Sequence, residues 1–218
     1  MQKSPSYCCN IFDGTVLKDR LNMNSRINLI FKLPKEVAEK AIFLSKEIGK
    51  HNDSFFVLNG INAYPHITVY SPIYKESRIG EIFKNIEKSK KNFKLKFKGV
   101  GSSQGFISLI FENSPDIQKF HEEIVKALNP LREKDVLNGS DYNADFNEEQ
   151  KGNIDKYGYP DAMDLYSPHL TIIRLKDENL AKSIAQEIKW DIPEFIINEV
   201  EFYKMGDNGI CKEIIKNL

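Results

Sequence analysis

Cysteine is scarce in this chain, with Cys8, Cys9 and Cys211 the only three among 218 residues. That number is odd and no pair has metal-ligand spacing, so nothing marks a disulfide framework or a thiolate metal site, and a reducing compartment is implied. Net charge is absent, 31 basic side chains standing against 31 acidic ones. The broad electrostatic footprint of a general polyanion binder is therefore missing. No apolar run approaches the ~18 residues that a membrane span needs, and the N-terminus lacks the hydrophobic stretch of a signal peptide. A cytoplasmic protein without membrane contact is expected. There is no Walker loop, no GxSxG elbow, no HExxH and no paired CxxC. Histidine and threonine are also rare, at four and three residues.

Two of those histidines and two of those threonines are spent on one pattern. Pro65, His66, Ile67, Thr68 and Val69 are repeated as Pro168, His169, Leu170, Thr171 and Ile172. Each copy lies in a short run of β-branched and aromatic residues, His66 to Ser71 and His169 to Leu175, which predicts a strand. Strand side chains alternate faces, so His66 and Thr68 point one way while Ile67 and Val69 point to a core. The second copy has the same parity. If the two strands lie side by side, two imidazoles and two hydroxyls converge on one small volume.

That set of groups suits a phosphodiester. One imidazole can take a proton from the attacking oxygen and the other can give one to the leaving oxygen, since the reference pKa is ~6.5. The hydroxyls can hydrogen-bond the non-bridging oxygens, whose charge shifts in the transition state. The scheme needs no metal and no cofactor, and the sequence leaves open which histidine is acid and which is base. The other two histidines are read as structural: His51 ends a helix, and His121 leans inward from a helix bearing Ile117, Phe120, Ile124 and Leu128.

With both His-x-Thr motifs intact and each followed by an aliphatic residue, the chain resembles the two-histidine (2H) phosphoesterase superfamily, which includes the 2′-5′ RNA ligase-like proteins and cyclic nucleotide phosphodiesterases. The likeness runs from about Asn24 to the C-terminus. It implies an α+β, bilobal fold with two pseudo-symmetric sheet-plus-helix lobes around a central groove. It also implies metal-independent opening of 2′,3′-cyclic phosphates, or hydrolysis of 2′-5′ linkages, on RNA ends or small nucleotides. His66 and His169 would be catalytic, with Thr68 and Thr171 on the phosphate. The alternatives are a non-catalytic RNA-end or nucleotide-binding module, and ligation in the reverse direction.

Tyr64 and Tyr70 share strand parity with His66, and Tyr166 precedes the second motif by three residues, so these three are the candidates for stacking a base. Arg174 has the opposite parity to His169 and is left out unless a bulge intervenes. The lysine-dense stretch Lys84, Lys88, Lys90, Lys91, Lys94, Lys96 and Lys98 is read as a solvated face rather than an RNA track, because it alternates with Phe93, Leu95 and Phe97.

Periodicity predicts an alternation of elements. A strand over 26–33 carries Ile27, Leu29, Phe31 and Leu33 on one face, and a helix opened by Pro34 aligns Val37, Ala41, Leu44 and Ile48. A helix over 77–91 follows the first motif, then two strands around a turn at 101–105, and a helix over 115–131. After the second motif come a helix over 177–189 and two strands around 206–209. Residues 1–23 lack periodicity and are read as an N-terminal arm, or an upstream extension of the frame, beside a single domain over 24–218. Residues 132–165 read as one long polar connection. Within it Asp141, Asn143, Asp145 and Asn147 imitate a calcium loop, but Phe146 stands where glycine should turn and Gly152 where a bidentate glutamate should be. No metal is expected there, and a monomer is.

Overall fold

The computed structural model describes residues 23–86, 92–134 and 146–215. Apart from Met23, the arm over 1–23 lies outside the described residues, and so do Asp141, Asn143 and Asp145 and, of the lysine-dense stretch, Lys88, Lys90 and Lys91. The chain starts with β1, Asn24–Phe31, whose Ile27, Leu29 and Phe31 enter the main core as their alternation requires. Its opposite face carries Asn28 and Ile30, which are buried as well. Pro34, in extended conformation, precedes α1, Lys35–Gly49. Then come β2 (Ser54–Val57), β3 (Ile67–Tyr70), β4 (Ile73–Lys75) and α2 (Ile79–Ile86).

The hairpin of β5 (Phe93–Ser103) and β6 (Phe106–Phe111) turns at Gln104 and Gly105, both with positive φ. Two such residues make the turn whose twist matches paired strands, and Gly101, expected in the turn, lies in β5. Next is α3, Pro115–Leu128, started by Ser114, whose hydroxyl accepts from the Ile117 amide. The long polar connection is not irregular throughout: it contains α4, Glu148–Tyr157. Asn147, an apparent calcium-loop position, is the N-cap of α4, forms a reciprocal capping box with Gln150, and Gly158 ends the helix in the left-handed region. The sequence carries the capping signal, but the helix has too little apolar content to show a periodic face. The chain closes with β7 (His169–Leu175), α5 (Glu178–Glu187), β8 (Glu194–Ile197), β9 (Val200–Met205) and β10 (Cys211–Ile215).

All strand pairings are antiparallel, and the sheet runs β10-β9-β1-β3-β7-β6-β5-β8, with β2 added beside β7 and β4 beside β1. The α+β class expected from sequence is the class found. The two motif strands are central neighbours, with three strands outward of each along this path. Helices α1 and α5 pack beneath β7 and its neighbours, while α3 packs beneath β3 with α2 against it. Phe31 of β1, Phe93 of β5 and Phe120 of α3 meet in the core, with Phe120 centred 5.6 Å from Phe31 and 5.0 Å from Phe93. Among the described residues no helix is long and apolar enough to cross a membrane.

Candidate active site

One ladder pair sets the geometry of the site. Ile67 of β3 stands opposite Leu170 of β7, and both are fully buried on the helix side of the sheet. In that register His66 falls opposite Thr171 and Thr68 opposite His169, so the four side chains form a two-by-two array on the other face. Directly opposed Cβ atoms in such a ladder are ~5 Å apart and diagonal ones ~7–8 Å. The two histidines occupy one diagonal and the two threonines the other. All four are partly exposed, while Val69, Leu170 and Ile172 are closed into the core.

Both imidazoles are oriented alike. His66 Nδ1 lies 2.9 Å from the Tyr64 carbonyl and His169 Nδ1 2.8 Å from the Ser167 carbonyl, in each case two residues back along the chain. A carbonyl oxygen only accepts, so each Nδ1 carries the hydrogen and each neutral ring keeps its lone pair on Nε2, turned away from the backbone. Although its ring keeps some exposure, desolvation by the strands and loop around it lowers the His66 pKa to about 4, against the opposing pull of the Tyr64 carbonyl, with a smaller lowering from His169. At neutral pH His66 is therefore an unprotonated acceptor.

Each threonine has a polar partner from the next strand outward, and neither partner was found by sequence reasoning. Asn28 Nδ2 on β1 donates to Thr68 Oγ1 at 3.0 Å, and Ser108 Oγ on β6 is 3.1 Å from Thr171 Oγ1. Because Thr68 accepts from the amide, its own hydroxyl hydrogen is free to point elsewhere. Asn28 also donates to Cys211 Sγ at 3.5 Å and is fully buried. The available signal was one polar residue in the middle of an apolar strand, Ile27-Asn28-Leu29-Ile30.

Beneath the array, His121 and Tyr166 brace the first motif. Their rings stack at 3.9 Å with only 4° between planes. The Tyr166 hydroxyl donates to the Thr68 carbonyl at 3.0 Å, and His121 Nδ1 donates to the Val69 carbonyl at 2.7 Å. His121 Nε2 accepts from the Met163 amide at 2.8 Å, which fixes the neutral tautomer. Tyr166 is thus committed to the backbone and shut off from a base. Tyr70 is likewise buried, its hydroxyl donating to the Tyr157 carbonyl at 2.6 Å. The β1–β3 register shifts between Leu29 and Ile30, so parity does not carry from His66 to Tyr70. Tyr64 alone of the three tyrosines keeps partial exposure, set at 5.0 Å against Tyr203 beside Ile30 and Cys211.

A bulge also changes Arg174. The β6–β7 register shifts between Ile107 and Ser108, which leaves Ile172 and Ile173 both buried and returns Arg174 to the motif face. Strict alternation from His169 would put it on the opposite face. On the lysine-dense stretch, Lys94 pairs with Glu194 at 2.8 Å and Lys96 with Glu112 at 3.8 Å, so these lysines are matched surface charges. Among the described residues no cluster of three or more His, Cys, Asp or Glu side chains is placed to hold a metal ion.

The sequence profile of the 2′-5′ RNA ligase superfamily matches residues 61–209, a span that includes both motifs. No curated protein matches the chain by sequence. Among solved structures, Escherichia coli LigT complexed with 3′-AMP superposes with a TM-score of 0.51 at 12% identity, over 88% of this chain and 95% of that one. The same protein complexed with ATP gives 0.51 at 11% identity, over 89% and 96%. A structure described only as a phosphoesterase gives 0.52 at 10% identity, over 89% and 97%. At such identities the shared feature is the fold.

Proposed function

Since the chain belongs to the 2′-5′ RNA ligase superfamily of 2H phosphoesterases, we propose that it is a metal-independent phosphodiesterase that opens 2′,3′-cyclic phosphates or hydrolyses 2′-5′ linkages on RNA ends or small nucleotides. The observation that carries this reading is the diagonal of two histidines, each held through Nδ1 with Nε2 outward, crossed by a diagonal of two threonine hydroxyls. A phosphate lying over the array puts its two reacting oxygens toward the histidines and its two non-bridging oxygens toward the threonines.

In the reaction, water attacks phosphorus and its proton passes to His66 Nε2. The bond from phosphorus to the ribose oxygen breaks, and His169 protonates the leaving oxygen. His66 is assigned the base because burial keeps it neutral at pH 7; His169 is the acid by its place on the opposite end of the diagonal. Each proton transfer is worth roughly 10²- to 10⁴-fold in rate. Thr68, its oxygen already accepting from Asn28, donates to one phosphoryl oxygen, and Thr171 serves the other. Tyr64, partly exposed beside His66, is the wall available to a base. That E. coli LigT has been crystallised with ATP and with 3′-AMP supports a nucleotide-sized ligand for this fold.

The test is incubation in EDTA with nucleoside 2′,3′-cyclic phosphates, a short RNA ending in a cyclic phosphate, and 2′-5′ oligoadenylate. Turnover that persists in EDTA and disappears in both His66→Ala and His169→Ala is expected. Binding without turnover, equal in wild type and both variants, would make the protein a nucleotide-binding module instead.

A further inference from the structure

At one end of the motif face, two hairpin tips from opposite sides of the sheet are fastened to the same side chain. Arg174 Nε donates to the Gln104 carbonyl at 3.2 Å, in the β5–β6 turn, and Arg174 Nη1 donates to Asn208 Oδ1 at 2.7 Å, in the β9–β10 turn. Its guanidinium lies 4.8 Å from the Phe55 ring centroid and 4.4 Å from that of Phe106. Two edges and two aromatic contacts hold the group in place. It is built as a fastening.

The two tips are firm. Leu175 donates its amide to the Gly105 carbonyl at 2.8 Å, and a Cβ on Gly105 would stand 2.3 Å from the Leu175 carbonyl oxygen, so the β5–β6 tip is seated directly on the end of β7. In the other tip the Gly206 amide donates to Ile210 at 2.8 Å, and Asn208 has a φ of 58°, a left-handed conformation that asparagine tolerates.

The Asn208 contact crosses the sheet. In the strand order β7 and β9 are separated by β3 and β1, so three spacings of ~4.8 Å, or ~14 Å, lie between them. Arg174 points to the motif face, and at its level β7 is flanked on that side by β2, where Phe56 pairs with Arg174, so the β9–β10 tip reaches it over β1, β3 and the end of β2. A second bond supports the lean: the Tyr64 amide donates to the Cys211 carbonyl at 3.0 Å, tying the start of β10 to the segment that enters the first motif. Along β7, Arg174 follows Thr171, on the side of the array formed by His66 and Thr171. Three residues further along a strand is ~10 Å. A nucleic-acid strand running past His66 in that direction meets the fastened tips almost at once.

We propose that the Arg174–Asn208 contact walls off one end of the motif face and makes it a blind site, so that it takes the terminus of an oligoribonucleotide and rejects an internal segment. This rests on the phosphodiesterase reading above. The probe is a linear oligoribonucleotide with a terminal 2′,3′-cyclic phosphate and its circular counterpart of the same sequence, which has no end. Fluorescence anisotropy in EDTA with the His66→Ala variant measures binding without turnover. The linear form is expected to bind at least about tenfold more tightly than the circle. Asn208→Ala added to that variant removes one fastening without touching the motif residues, and it should bring the two affinities together. Arg174→Gln is the second variant, read in the same way if Asn208→Ala does not fold. Equal binding of linear and circular probes by the unaltered latch, or a preference unchanged when either latch residue is replaced, overturns the proposal and leaves the phosphodiesterase reading standing. Absence of binding to both probes, together with absence of turnover in wild type, overturns the proposal along with that reading.

Discussion

Protonation of His66 sets the acid limit of the proposed reaction. A general base acts in its unprotonated form, so activity falls as pH drops through its pKa, and burial places that value at about 4. The profile of kcat/KM for a cyclic phosphate is therefore expected to stay flat on its acid side until well below pH 6. A limb near the ordinary imidazole value of ~6.5 would remove His66 from the base role. In the complex, the bound phosphate's negative charge favours the imidazolium, so the acid limb of kcat should lie above that of kcat/KM. Asn28 is tested separately. Asn28→Ala deletes the donor that orients Thr68 and leaves buried polar groups unpaired, with an expected stability loss of about 1–3 kcal/mol. Its kcat should fall while KM for the same substrate changes little, and restoration by Asn28→Gln is not expected, because the longer side chain does not fit between Thr68 and Cys211. Equal activity in Asn28→Ala would reduce Asn28 to core packing. His66, Thr68, His169 and Thr171 were legible because their pattern occurs twice. Asn28 and Ser108 are single polar residues in apolar strands, and only the neighbouring strand gives them meaning.

Among the elements, β3 depends on its brace. His121 is fully buried between the Val69 carbonyl and the Met163 amide, and burial lowers its pKa to about 4. The unfolded chain, at an ordinary ~6.5, binds the proton more readily. Stability contributed by neutral His121 is thus fully present above pH 6.5 and is lost as pH falls toward 4, by a total of about 3 kcal/mol. Urea midpoints measured from pH 7 to pH 4.5 should decline, and the decline should be shallower in His121→Gln, which has no proton to gain. Parallel declines in both proteins would place the acid sensitivity elsewhere, with His66 the next group to replace. Periodicity located most of these elements, since β1, α1, α3, β7 and α5 all have regular apolar faces. It failed where regularity breaks. Bulges at Leu29/Ile30 and Ile107/Ser108 undid the parity argument for Tyr70 and Arg174, and the short strands β2 and β8, at four residues each, offer too few alternations to be seen.

At the scale of the whole molecule, the connectivity interleaves the two sides of the sheet. Helix α1 follows β1 in the chain but packs on β7, and α3 follows β6 but packs on β3. Each motif strand is therefore covered by a helix whose preceding strand lies on the other side of the β3–β7 seam. No periodicity in the sequence reveals this, because it depends on which strands become neighbours. The arrangement has an energetic consequence. Detaching α3 exposes Ile117, Phe120, Ile124, Val125 and Leu128, all buried. At ~1.5–3 kcal/mol apiece, those five side chains are comparable with the entire ~5–15 kcal/mol that holds a domain folded. Neither side can open alone and leave the other stable. Trp190, the chain's one tryptophan, reports on one side only: it is buried beyond α5, with the Lys40 ammonium of α1 5.5 Å over its ring and Lys40 paired to Asp191. Far-ultraviolet circular dichroism reports on all elements together. Urea unfolding followed by Trp190 fluorescence and by circular dichroism should give one midpoint, and Phe120→Ala, whose ring packs against Phe31 of β1 and Phe93 of β5 on the two sides of the seam, should move both curves together by about 3–5 kcal/mol. Separate midpoints, or a Phe120→Ala shift seen by circular dichroism while the Trp190 transition stays in place, would mean that the two sides unfold independently and that the motif array can come apart while each half remains folded.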